Sequence, residues 1–107
     1  MLVLVRQVDE WIMIGDDLLV GPFLIDSHRI RLTVNGRVLG GAQDGAPFTK
    51  TIDLSTDAEL ELAPNVSVRV VQILPPKVRI GVVAPKTISI HRKEVYDAIR
   101  RANEENR

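Results

Sequence analysis

Apolar and polar residues alternate along most of this chain, and a period of two residues is typical of β-strands that are buried on one face. Residues 2–8 form an apolar run rich in valine and leucine, and residues 11–14 form a second run. The turn-like pair Asp9-Glu10 separates them, and Gly15 followed by two aspartates ends the second. We interpret the two runs as a pair of neighbouring strands.

The C-terminal third predicts a hairpin, a short strand and a helix. Residues 66–74 and 77–83 alternate, and the Pro75-Pro76 pair between them imposes a turn because proline has no backbone donor. After a break at residues 84–86, residues 87–90 are expected to form a short strand. From His91 the apolar spacing becomes helical, which indicates an amphipathic helix with a polar tail that frays.

The middle of the chain, residues 17–64, is also β-like. Residues 18–20 and 23–25 flank Gly21-Pro22, which we interpret as a break. Residues 29–34 alternate cleanly and end at Asn35-Gly36, a pair that favours a two-residue hairpin turn. Further strands are expected at residues 49–54 and 59–62. The glycine-rich residues 40–47 are expected to form a mobile loop, and no helix is predicted before residue 91.

Two parts of the chain resemble each other. Residues 17–34 align without a gap on residues 65–82, so that Val20, Ile25, Arg31 and Val34 coincide with Val68, Ile73, Arg79 and Val82. Any two alternating hairpins align this well by chance. The alternative is that the middle segment began as a partial duplication of the C-terminal hairpin.

Composition narrows the range of functions. The 107 residues suffice for one domain, or for one small domain with a large insertion. The chain has no cysteine and two isolated histidines, which leaves no disulfide and no expected metal site. Fourteen basic residues balance fourteen acidic ones, so nucleic-acid binding would depend on local charge. We find no leader pattern, no membrane-spanning run and no catalytic motif, and we expect a cytoplasmic protein that is not an enzyme and needs no cofactor.

Residues 1–16 and 65–101 carry a more specific pattern. An apolar run from Met1 ends in Arg6, and a second run ends in Ile-Gly-Asp. Near the other end stand Val-Arg-Ile-Gly, then Ala-Pro, then Ile-Ser-Ile-His-Arg. This ordered set resembles the carbon storage regulator (CsrA/RsmA-like) family, small dimeric bacterial proteins that bind messenger RNA. The matching residues are Met1–Arg6, Ile14–Asp16, Val78–Gly81, Ala84–Pro85 and Ile88–Arg92.

The resemblance implies a mainly β fold, a small antiparallel dimer in which the two chains exchange strands, with one C-terminal helix per chain. Residues 1–107 would then be a single domain, carrying a β-rich insertion at residues 17–64. The first and fifth strands of different subunits would lie side by side. The homodimer would bind GGA-containing hairpin loops of mRNA near ribosome-binding sites, and so control translation or mRNA stability.

The resemblance also places a set of RNA-contacting residues. Arg92, at the strand-to-helix corner, offers a planar fork of donors for phosphate or guanine, the alternative being a solvated arginine. For Arg6 the alternative is a solvent-facing edge charge. Leu4, Ile88 and Ile90 would line the RNA groove or simply belong to the core. Backbone groups from Ala84 and Pro85 onward would read bases, and His91 is expected to be a structural corner residue.

Three positions depart from the family pattern. Gln7 stands where a second basic residue is usual, Asp9 where glycine is usual, and Val83 where asparagine is frequent. These departures predict weaker contact with the phosphates of RNA, and Lys86 and Lys93 partly offset the lost positive charge. An interaction module without RNA binding therefore stays open as an alternative function. Small regulatory RNAs and a protein antagonist also stay open as partners. The insertion could be a passive appendage, an added RNA surface, a docking module or the cause of a changed dimer.

Overall fold

The computed structural model describes residues 1–37, 42–43 and 45–105, which form two antiparallel sheets and one helix. The strands and the helix are β1 Leu2–Arg6, β2 Ile12–Ile14, β3 Leu18–Leu24, β4 Arg29–Arg37, β5 Pro47–Ser55, β6 Glu59–Ala63, β7 Val66–Leu74, β8 Lys77–Val83, β9 Ile90–Arg92 and α1 Lys93–Glu105.

The two sheets enclose one apolar core. The first sheet has the strand order β1-β8-β7-β6, and the second has the order β5-β4-β3-β2-β9. Inward-facing residues of both sheets form a single buried cluster, in which Val20 and Leu32 of the second sheet join Val68 and Ile80 of the first. Each of these side chains is at most 2% exposed. Period-two alternation along the strands therefore produces the core, as the sequence predicts.

The predicted fold class is confirmed in its main features: the chain is mainly β and has one C-terminal helix. The β7–β8 hairpin turns at Pro75-Pro76, and the described residues before 91 contain no helix. The final strand comes later than predicted, at Ile90–Arg92, so that α1 begins at Lys93. Exchange of strands between two chains stays a prediction.

The predicted pairing of the first two strands is wrong. β1 lies in the first sheet and pairs with β8, whereas β2 lies in the second sheet between β3 and β9. Between them, the Glu10 amide donates to the Gln7 carbonyl at 3.1 Å, and Asp9 adopts a φ of +67°. This turn carries the chain from one sheet to the other. Alternation reveals a strand but not its partner, because backbone hydrogen bonding is the same for every neighbour.

Two predicted breaks lie inside strands. Asn35 and Gly36 belong to β4 and pair with β5, where the Thr49 hydroxyl donates to the Asn35 side chain at 2.7 Å. Gly21 and Pro22 belong to β3, beyond the part that pairs with β2, so Pro22 needs no donor on that side. A Cβ on Gly21 would lie 2.6 Å from the Trp11 ring. Glycine is therefore required there by close packing rather than by a turn.

The middle segment is not an appendage. Strands β3, β4 and β5 make up most of the second sheet, and β6 pairs with β7 of the first. Ile30, Val34 and Leu54 from this segment are buried in the common core. The predicted mobile loop at residues 40–47 falls partly on residues 40, 41 and 44, which lie outside the described ones, as do residues 106–107 of the predicted frayed tail.

Candidate functional site

The residues singled out at the two ends of the chain meet at one corner, where β1 and β9 end and α1 begins. β9 pairs with β2, so that His91 faces Met13 and Arg92 faces Ile12. The Lys93 amide, first in the helix, donates to the Trp11 carbonyl at 2.9 Å. The segment that follows β1 is thereby fixed against the start of α1.

Arg6 is the buried anchor of this corner. Its side chain faces inward at the end of β1, and the residue is only 4% exposed. Nη1 donates to the Glu94 carboxylate at 2.9 and 3.2 Å and to the Trp11 carbonyl at 3.4 Å. Nε donates to the Val5 carbonyl at 2.8 Å. The alternative of a solvent-facing edge charge is thus wrong, because the guanidinium joins β1 to the helix.

Glu94 completes the ion pair from the first turn of α1. Its carboxylate hydrogen bond with Arg6 lowers the pKa of Glu94 below its ordinary value, and the charge of Arg92 acts in the same direction. A carboxylate in the first helical turn also interacts favourably with the helix dipole. The ionised pair therefore fixes the orientation in which α1 leaves the sheet.

Arg92 differs from Arg6 in being exposed. It is the last residue of β9, one position before the helix, and its backbone is held by the pairing with Ile12. Among the described residues, no carboxylate lies within ion-pair distance of its guanidinium. The structure therefore presents a cationic fork of five donors on a fixed backbone, as expected from the strand-to-helix position.

Three apolar residues precede the two arginines in the same segments of the chain, and all three belong to the core or pack against it. Leu4 is 9% exposed and belongs to the core, which agrees with the simpler of its two interpretations. Ile88 and Ile90 are half-buried and pack against the same cluster. The Gly15 amide donates to the Ser89 carbonyl at 2.7 Å, so that one backbone group of this segment is already occupied.

The turn between β8 and β9 carries the remaining predicted site residues. The Ile88 amide donates to the Pro85 carbonyl at 2.9 Å, which closes a turn with Pro85 and Lys86 exposed. Ala84 is half-buried before it. His91 is half-buried within β9, a position consistent with a structural corner residue.

Sequence reasoning did not identify the residues that support this corner. Glu94 stands 88 positions from Arg6, and an acidic residue in a first helical turn is too common to indicate a partner. The Tyr96 hydroxyl donates to Asp16 at 2.9 Å, and Arg100 donates to that hydroxyl at 3.0 Å while lying over the ring. These contacts attach α1 to the turn after β2.

The described residues offer neither a metal-binding cluster nor a membrane-spanning helix. They contain no group of three or more His, Cys, Asp or Glu side chains that is able to hold a metal ion. No helix among them is long and apolar enough to cross a membrane.

Comparison with known proteins gives a family profile and curated relatives that match part of the chain. Residues 57–101 match the profile of CsrA, the global regulator protein family. The translational regulator CsrA of Rhodopirellula baltica is 52% identical over 40 residues, which are 37% of this chain and 57% of that protein. The translational regulator CsrA of Bacillus velezensis is 34% identical over 44 residues, 41% of this chain and 60% of that protein. No solved structure gives a significant match.

The matched region contains most of the corner. Residues 57–101 extend from the turn before β6 to the middle of α1 and include Arg92 and Glu94. The resemblance to the carbon storage regulator family is therefore confirmed over this region. The chain spans less than two thirds of the length of either relative.

Proposed function

We propose that the chain is an RNA-binding regulator that acts after transcription, by recognising GGA-containing hairpin loops in mRNA near ribosome-binding sites. The observation that carries this proposal is the exposed guanidinium of Arg92, fixed at the end of β9 inside the region that matches the CsrA profile. Arginine is suited to guanine because its planar fork donates to two acceptors of one base. We place this activity in the cytoplasm.

The roles within the corner differ. Arg92 contacts the RNA directly, and backbone groups of the Ala84–Ile90 segment read bases that a single-stranded loop exposes. Arg6 is a positioning residue, because Glu94 already occupies its guanidinium. Ile88 and Ile90 provide the apolar surface below the bases, and Leu4 supports that surface from the core. Small regulatory RNAs with the same loop sequence would bind at the same corner.

The test is direct binding of a short RNA hairpin that carries GGA in its loop. At one fixed, moderate salt concentration, fluorescence anisotropy should show at least ~10-fold tighter binding than to the same stem with the two guanines replaced by cytosines, since one good base contact contributes about 1–3 kcal/mol. Equal binding of the two RNAs, or no binding by folded protein, would contradict the proposal.

Replacing Asp9 by glycine should strengthen RNA binding. Asp9 has a φ of +67°, which glycine adopts without strain, and its carboxylate places a negative charge in the turn that follows Arg6. Asp9→Gly should therefore raise the free energy of unfolding by up to ~1 kcal/mol and lower the Kd for the GGA hairpin. Chemical denaturation and anisotropy measure the two effects.

The control for Asp9→Gly is Asp57→Gly. Asp57 has a φ of +68° in a turn with the same hydrogen bond, from the Ala58 amide to the Ser55 carbonyl at 3.0 Å. It is not part of the Arg6–Arg92 corner. Asp57→Gly should change stability without tightening RNA binding, and a similar gain in RNA affinity for both variants would show that Asp9 has no local effect.

One observation favours the alternative of a protein-interaction module. Val95 and Ile99 lie one helical turn apart on α1 and are 40% and 43% exposed, which is high for apolar side chains. The two functions are separable by the double variant Val95→Ser/Ile99→Ser. It should retain binding of the GGA hairpin if that activity depends on the Arg92 corner, and should lose capture of a protein antagonist if the helix face binds one.

A further inference from the structure

The first and second halves of the chain repeat each other at a constant spacing of 48 residues. Adding 48 to the residue numbers of β1, β2, β3 and β4 gives positions within β5, β6, β7 and β8, apart from the last two residues of β4. The turn after the first strand also repeats. Asp9 and Asp57 both have positive φ, and the bond from Glu10 to Gln7 recurs from Ala58 to Ser55. The repeat is therefore present in backbone conformation and not only in hydrophobic alternation.

The same spacing holds for strand pairing up to a β-bulge after Val70, beyond which β7 and β8 pair one residue out of step with β3 and β4. Within the hairpins, Ile12 faces Val20 and Leu60 faces Val68, and likewise Val20 faces Val34 and Val68 faces Val82. Two unrelated alternating hairpins have no reason to share one register across three strands, because a slip of one residue reverses every side chain. The internal resemblance thus extends from the sequence to the strand register and beyond the C-terminal hairpin, as a duplication within the chain would produce.

The two halves exchange their first strands. β1 of the first half pairs with β8 of the second, and β5 of the second half pairs with β4 of the first. The two exchanged pairings have equivalent registers: Leu4 faces Ile80, and Ile52 faces Leu32. Each sheet therefore contains a three-stranded unit from one half and the first strand of the other, and the second sheet also contains β9. Within one chain, this is the arrangement that the resemblance predicts between two chains.

The charged residues of the Arg6–Arg92 corner are not repeated at the equivalent positions of the other half. At the position equivalent to Arg6 stands Leu54, which is 8% exposed and needs no carboxylate partner. In the sequence, the residues 48 positions before Arg92 and Glu94 are Asp44, which lies outside the described residues, and Ala46. An acidic and two apolar residues thus replace the two arginines and the glutamate. The counterpart lacks the cationic chemistry of the first corner.

From these observations we infer that one chain builds the complete strand-exchanged fold without a second copy, and that it carries one RNA site instead of a symmetric pair. The intrachain fold follows from the pairing registers, whereas the single RNA site rests on the proposed function. In solution the protein is then a monomer of 11.9 kDa that binds one hairpin.

Engineered disulfides test the intrachain exchange, because the chain has no native cysteine. Val5 and Arg79 face each other across β1 and β8, and both are exposed. Directly opposed strand residues have Cα atoms about 4.5–5.5 Å apart, within disulfide range. The double variant Val5→Cys/Arg79→Cys should oxidise to a crosslinked monomer on a non-reducing gel. Covalent dimers as the main product would overturn the inference.

The matched pair is Arg31→Cys/Asp53→Cys, at the equivalent positions of β4 and β5. It too should crosslink within one chain. The mass of the unmodified protein, measured by light scattering over a range of concentrations, provides an independent check. A constant mass of one chain supports the inference, and twice that mass at all concentrations contradicts it.

Native mass spectrometry with the GGA hairpin then counts the RNA sites. One RNA per chain is expected, with the bound fraction lost in Arg92→Ala. Two RNAs per chain would overturn the single-site statement and leave the intrachain exchange intact. No RNA bound to a crosslinked monomer would contradict the proposed function instead, so the two failures are distinguishable.

Discussion

Arg92→Ala is expected to weaken binding of the GGA hairpin by about 1–3 kcal/mol, which is roughly 5- to 150-fold in Kd, because a bidentate contact to guanine is lost. The side chain is exposed and bonds to no described carboxylate, so its removal should leave the free energy of unfolding unchanged within about 0.5 kcal/mol. Anisotropy measured with GGA and cytosine-substituted loops should show that the variant loses preference as well as affinity.

Two controls distinguish base recognition from charge. Arg92→Lys keeps the charge but not the planar fork, so it should retain phosphate attraction and lose most of the preference for GGA. Arg29→Ala removes an equal charge from an arginine at the start of β4, near Asp26, and should change affinity little. If Arg29→Ala weakened binding as much as Arg92→Ala, net charge would explain the effect and the assignment of the site would be wrong.

Glu94→Gln should destabilise the fold by about 1–2 kcal/mol. The substitution leaves the Arg6 guanidinium buried, with backbone carbonyls as its remaining partners. Breaking a fully buried pair typically costs about 3–5 kcal/mol, but the Glu94 side chain is 59% exposed, and water screens part of the interaction. RNA affinity should also fall, because α1 and the end of β9 lose their fixed orientation.

A double-mutant cycle with Arg6→Met measures the interaction itself. Once the buried cation is removed, adding Glu94→Gln should have almost no further effect on the free energy of unfolding. Glu105→Gln, in the last turn of the same helix, serves as the control and should stay within about 0.5 kcal/mol of the wild type. Additive effects of Arg6→Met and Glu94→Gln would contradict the ion-pair account.

The same pair predicts a dependence on pH. The folded state lowers the pKa of Glu94, so the pair stabilises the protein fully above the ordinary glutamate pKa, and this contribution is lost as the pH falls through the lowered value. Asp53 beside Arg31 also has a lowered pKa and contributes to acid sensitivity in every variant. The difference in stability between the wild type and Glu94→Gln should therefore shrink as the pH falls below about 4.5.

Local signals in the sequence predicted the strands of the C-terminal half well. The β7–β8 hairpin follows from alternation interrupted by two prolines, and α1 follows from the change of apolar spacing after β9. Glycine positions were predicted less well, because a glycine that is required by close packing has the same local pattern as a glycine in a turn. The Asn35-Gly36 pair predicts a turn, but Gly36 lies inside β4, where Leu18 and Phe48 leave no space for a Cβ.

At the candidate site, too, the sequence predicts local features but not contacts between distant residues. Arg92 was identified from its position at the strand-to-helix corner, which the sequence displays directly. The burial of Arg6 was not predicted, because its partner Glu94 is distant in sequence and belongs to the helix at the other end of the chain. A charged residue at the end of a strand has the same local pattern whether it faces solvent or a carboxylate.

The sequence by itself determined most of the strands, the position of the helix, the family that residues 1–16 and 65–101 resemble and the similarity of two hairpins. Only the tertiary structure decided that β1 pairs with β8 rather than β2, and that the 48-residue repeat exchanges strands within one chain. The physical reason is that alternation specifies the apolar face of a strand, whereas every backbone offers the same hydrogen bonds to a neighbour. The choice of neighbour depends on how all the apolar faces close over one core, and that is a property of the whole chain.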